Sequence, residues 1–173
     1  SKDISTSTAG TSNFRAGVNA GNSITSGGNF NVLVGDEAGT AITTGDNNVA
    51  VGYAALDANT TGTSNIAVGQ SALSNNTTGG SLVAVGNGAL LANTTGVYNV
   101  GIGYQSLKSN TTGDKNVAVG YQSLKSNTTA DHNTAFGDQA LESNTTGTRM
   151  TSVGSRSGMQ NTTGNYNAFV GYD

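Results

Sequence analysis

Chemistry needs reactive side chains brought together, and this chain of 173 residues offers few. Its one histidine is His132. It has no cysteine, so disulfides, thiol nucleophiles and thiolate metal sites are excluded. Serine is abundant but never patterned with a base, so a Ser–His–acid arrangement has no support. The acidic residues are scattered, with Asp36–Glu37 the only adjacent pair, and neither an EF-hand loop nor a calcium-binding nonapeptide is present. Gly27–Gly28 and Gly79–Gly80 lack the strand–loop–helix setting and the lysine of a phosphate loop. The expectation is a chain with no catalytic residue, no metal site and no cofactor, and hence not an enzyme.

Recognition chemistry is better represented. Asn-Thr-Thr begins at Asn59, Asn76, Asn93, Asn110, Asn127, Asn144 and Asn161, and each copy satisfies the N-glycosylation sequon. Asn and Thr also build turns and stack as hydrogen-bonded ladders, and that reading is preferred here, with glycosylation as the alternative. Tyr53, Tyr104, Tyr121 and Tyr172 stand at equivalent places and form a candidate recognition column for host-cell or surface glycans.

These residues recur because the whole chain repeats. A glycine closes a five-residue block at Gly35, Gly52, Gly69, Gly86, Gly103, Gly120, Gly137, Gly154 and Gly171, every step 17 residues. Such a period marks a stacked repeat. The consensus is Asn-Val-Ala-Val-Gly-Tyr-x-Ala-Leu-x-x-Asn-Thr-Thr-Gly-x-x. Two β-branched columns flank a small one, as in Val49-Ala50-Val51, and spacing of two places both on one face of a strand. A Leu column follows: Leu56, Leu73, Leu90, Leu107, Leu124 and Leu141. The Val and Leu columns are therefore expected to make the core, with the glycine a bend, the Leu on a second extended segment and Asn-Thr-Thr-Gly a corner. Seventeen residues are too few for a helix pair, and one unit cannot bury its own apolar face. The predicted fold is all-β: a parallel β-solenoid, or β-roll, of nine to ten 17-residue coils over residues 10–173, preceded by an irregular segment at 1–9 that joins a neighbouring subunit. The columns holding Lys108 and Lys125, and Lys115 and His132, are expected to face solvent.

Between the Val columns lies Ala50, Ala67, Ala84, Gly101, Ala118 and Ala135. Alternation places it on the face opposite the Val pair. The preferred reading is a self-association seam where chains pack side by side; the alternative is an internally packed or exposed alanine stripe.

The block Asn-Val-Ala-Val-Gly, as at Asn48–Gly52 and Asn116–Gly120, resembles the head repeats of trimeric autotransporter adhesins. The longer run Gly52–Gly62 is similar to repeats of phage tail-fibre and bacterial surface proteins. The resemblance covers about residues 10–173 and implies left-handed parallel β-rolls, three of them packed around an axis as a homotrimer, and a role in adhesion. The chain departs from it in its period, which is longer than the usual adhesin head repeat, and shows no coiled-coil stalk or membrane anchor.

A net charge of -3 leaves no footprint for nucleic acid, and no run reaches the roughly 18 apolar residues that membrane insertion requires. Gly10–Gly17 matches Gly62–Gly69, so a first coil begins near residue 10. Joined end to end, two copies would place eleven residues between Gly171 and the next Gly10, against nine between Gly52 and Gly62, which suggests a head-to-tail filament. The functional expectation is a non-enzymatic structural subunit or segment of an extracellular fibre, partnered with itself, serving surface coating or adhesion at the cell surface. The alternative is a receptor-binding segment of a phage tail fibre, placed on the virion. Behind both stands an ice- or carbohydrate-binding solenoid.

Overall fold

The computed structural model describes residues 4–5 and 10–173. Ten three-residue strands lie in register, one per coil: β2 (Phe14–Ala16), β3 (Val32–Val34), β4 (Val49–Val51), β5 (Ile66–Val68), β6 (Val83–Val85), β7 (Val100–Ile102), β8 (Val117–Val119), β9 (Thr134–Phe136), β10 (Thr151–Val153) and β11 (Ala168–Val170). Each pairs in parallel with the next, Val49 against Ile66 and Ile66 against Val83, so the sheet order is the sequence order. The predicted parallel β-solenoid is the fold. Before it, β1 (Ile4–Ser5) pairs antiparallel with β2, placing Ile4 opposite Ala16. The proposed joining segment thus has two residues on its own chain's first strand; the rest of 1–9 lies outside the described residues.

The ladder does not stop at the strands. Leu56 N–H donates to Ala72 O at 2.9 Å, Thr60 N–H to Thr77 O at 2.9 Å, and Ser71 N–H to Tyr53 O at 2.9 Å. Strand, bend and corner are all bonded rung to rung, which is how so short a coil leaves few buried backbone groups unpaired.

Closing 17 residues into a coil requires sharp bends, and left-handed backbone supplies them. In one coil Asn47 (φ 58°), Gly52 (φ 136°), Ala54 (φ 52°) and Leu56 (φ 57°) all have positive φ. The Leu column is therefore a turn, not the expected second extended segment. Non-glycine residues in this region cost roughly 1 kcal/mol each, which the rung-to-rung bonds and the packed interior must offset.

The interior is narrow and lined by small residues. In one coil it holds Asn116, Ala118, Ser123, Leu124, Asn127 and Ala130. The Leu column is core, as expected. The Val columns are not: Val32, Ile66 and Ile102 are 38–41 % exposed, and the alanine between them is buried. The predicted orientation of the strand is inverted. A coil that already encloses Leu and two Asn side chains has space on the strand's inner slot for little more than a methyl group, so the β-branched pair is turned outward.

Candidate functional surface

The alanine seam follows the strand inward. Ala50, Ala67, Ala84, Ala118 and Ala135 are fully buried, and Gly101 shares their column. A Cβ on Gly101 would lie 3.3 Å from Leu90 Cγ and 3.1 Å from Ser106 Oγ, so this column packs against the Leu column and its neighbour inside the solenoid. It cannot be an outer seam. Where it enlarges, the Leu column shrinks. Gly39 stands in the Leu column beside Leu33, and a Cβ there would meet Leu33 Cδ2 at 2.9 Å and Ile42 Cδ1 at 2.7 Å. Gly158 faces the ring of Phe169 in the same way.

The Asn-Thr-Thr columns are ladders. Asn110 Nδ2 donates to Asn93 Oδ1 at 2.9 Å and to Gly113 O at 3.0 Å, and it accepts at Oδ1 from Asn127 Nδ2 at 2.9 Å. Asn76, Asn93, Asn127 and Asn144 repeat the pattern, Asn59 donates to Gly62 O and accepts from Asn76 Nδ2, and all five with Asn110 are wholly buried; Asn161 is partly buried at the last turn. Their amide nitrogens are committed and out of reach, so the glycosylation reading of Asn59–Asn144 is incompatible with the folded chain. A second buried column, which the sequence reading did not single out, runs through Asn13, Asn31, Asn48, Asn65, Asn99, Asn116 and Asn133. There Asn48 N–H donates to Asn31 Oδ1 at 2.9 Å, and Asn48 Nδ2 reaches Gly62 O at 3.0 Å. Asn recurs in most coils of both columns and gives way to apolar Ile42, Leu82 and Met150, and that exchange is the signal that marks them as internal: an exposed corner has no reason to alternate an amide with a large apolar side chain. Thr is divided. The first of each pair, as Thr60, donates Oγ1 to the next rung's Thr77 O at 3.1 Å, and the second, as Thr61, is exposed.

What remains outside is a banded surface. Its centre is the pair of β-branched columns, apolar at every slot from β3 through β8. Beyond the bend at the glycine runs the predicted Tyr column. Tyr53, Tyr104, Tyr121 and Tyr172 are all exposed, and Tyr104 stacks on Tyr121 with centroids 5.4 Å apart and planes 13° from parallel. Glu37, one rung before Tyr53, holds its phenol above the ordinary range by its negative charge and by a hydrogen bond, with smaller effects from Asp57 and Asp36. On the solenoid's other side Lys125 pairs with Glu142 at 3.4 Å, in a half-buried column instead of the open one expected. His132 is exposed. Among the described residues no three His, Asp or Glu side chains converge as a metal site, and none of these residues forms a helix long and apolar enough to cross a membrane. At the last coil a hollow of about 400 Å³ opens between Gly158, Asn161 and Phe169, continuous with the interior columns.

No family model matches this chain, and no curated protein or solved structure does so either. Its class rests on its own geometry: a parallel β-solenoid repeat protein.

Proposed function

We propose that this chain is a non-enzymatic structural subunit or segment of an extracellular fibre, which associates with further copies of itself and acts as a spacer, coat or adhesive element. The observation that carries the reading is the outward β-branched face. A soluble monomer rarely exposes a contiguous apolar patch larger than a few hundred Å², and here the patch runs rung after rung along one side of the rod. The side chains that hold the rod together are bound to neighbouring rungs, which suits a molecule whose task is shape. The exposed Tyr and Thr columns give it a repetitive surface for glycans or another fibre. Electron microscopy of the intact chain, purified without denaturant, tests the proposal. Ordered assemblies built from the rod are expected. A monodisperse monomer persisting at high concentration would remove self-association from the reading.

A further inference from the structure

The outward face is not symmetric along the rod, and the asymmetry specifies how a second copy sits on it. No Lys, Arg or His occurs between residues 31 and 100, whereas that stretch carries Asp36, Glu37, Asp46 and Asp57. Lys108, Lys115, Lys125, Arg149 and Arg156 follow, interspersed with Asp114, Asp131, Asp138, Glu142 and Asp173, so the later half is balanced in charge where the earlier one is purely acidic. A pair of rods packed in the same direction would set the acidic half against the acidic half, with no cation at the level of Glu37. Reversed rods set it against the charge-balanced half, and bring Glu37 level with Arg156, the cation of its own column.

Building on the self-association proposed above, we infer that two copies pack face to face and antiparallel, about a two-fold axis that runs parallel to the strands midway between β6 and β7. This axis keeps each column opposite itself and reverses the order of rungs. It superposes the ten-strand parallel sheet on its own reverse. Glu37 of each copy then lies level with Arg156 of the other, in the same column, at both ends of the interface. Size is complementary as well. In the Tyr column, Tyr53 falls opposite Asp138, Tyr121 opposite Gln70 and Tyr104 opposite Asn87, so no ring meets a ring. In the adjoining column Gln105 falls opposite Gly88, Gln122 opposite Ser71 and Gln139 opposite Ala54. At the centre Val83 and Val85 meet Val100 and Ile102, a dry β-branched contact of the kind that interdigitates between sheets.

The area is sufficient. Ten rungs spaced about 4.8 Å apart, three outward columns wide, give about 650 Å² per chain and about 1,300 Å² for the pair. That lies within the range of roughly 1,200–2,000 Å² for stable interfaces. One apolar face per chain also favours a pair over a ring of three, since a closed ring built by rotation needs two different contact surfaces on each member.

The chain has no native cysteine, which makes the test direct. Glu37 and Arg156 are seven rungs apart in one chain, about 34 Å, far beyond disulfide reach. Sedimentation equilibrium of the unmodified chain is expected to give twice its mass of 17.2 kDa. Oxidation of the E37C/R156C double variant is expected to give a covalent dimer, and of either single variant none. A dimer from E37C alone would mean parallel packing and overturn the inference. So would a trimeric mass, or an assembly that the double variant fails to cross-link, although either would leave self-association standing. A monomer at every concentration would sink both.

Discussion

Gly52 and Gly88 both have positive φ, 136° and 64°, but a methyl group would meet different surroundings at the two. At Gly52 it would sit 2.7 Å from the carbonyl of Gly69 in the next rung, which is backbone and bonded in place. At Gly88 it would lie 3.6 Å from Gln105 Cγ, an ordinary contact, and Ala54 and Ser71 occupy the same slot in other coils at φ 52° and 54°. Gly52→Ala is therefore expected to cost more than about 3 kcal/mol or to prevent folding, and Gly88→Ala less than about 1 kcal/mol. Urea unfolding of the two variants checks this, and similar midpoints would refute it. Tyr53 offers a test by pH. The Glu37 carboxylate raises its phenol above 10.0, since a nearby negative charge disfavours the phenolate. The contribution is present below the ordinary phenol pKa and is lost as pH rises through the folded-state value. Carbon NMR of the labelled Tyr53 phenol should place its pKa above 10.0. Glu37→Gln should lower it, and no change would show that the carboxylate is not the cause.

At the scale of one coil, the Ala, Leu and Asn columns form a single volume shared among three slots. The chain fills it in two ways: Ala118, Leu124 and Asn127 in one coil, Leu33, Gly39 and Ile42 in another. Converting the first into the second isolates the coupling. Leu124→Gly alone leaves a cavity and is expected to cost about 3 kcal/mol. Asn127→Ile alone removes the donors to Asn110 Oδ1 and Ala130 O and is expected to cost roughly 2–4 kcal/mol. The triple variant A118L/L124G/N127I should be more stable than the sum of its parts by at least about 2 kcal/mol. Strict additivity in denaturant unfolding would show that the slots do not share space. The same exchange explains what the sequence revealed and what it hid. Period, strand positions and the Leu core were legible because each depends on one recurring residue type at one spacing. The inward face of the strand was not. Val-Ala-Val is apolar on both sides, so alternation shows that two faces exist without saying which is inside. The clue lay in a correlation between columns: Leu33 accompanies Gly39, and Phe169 packs over Gly158. Compensating sizes mean a shared interior. The buried Asn ladders were obscured by the general tendency of amides to sit at the surface; their bonding partners lie 17 residues away and become visible only once the coils are stacked.

For the molecule as a whole, each coil touches only the coils above and below it, so stability is set by nearest neighbours instead of a central core. Length then becomes adjustable in whole units. Removing residues 104–120 joins Gly103 to Tyr121 and leaves every column in place. The shortened chain is expected to fold, to be shorter by about 4.8 Å in small-angle scattering, and to unfold cooperatively with an m-value reduced roughly in proportion to the surface lost. Removing only residues 104–111 leaves nine residues where a coil needs 17. Nine cannot pass through all four left-handed bends and return to the strand, so the Asn and Thr ladders are cut at that point. That variant should lose cooperativity and expose the ends of two shorter stacks, which act as open β edges. The 17-residue deletion thus serves as the control for the eight-residue one, although it removes more of the protein. If the larger deletion proved the more damaging, stability would have to reside in particular coils and not in their stacking.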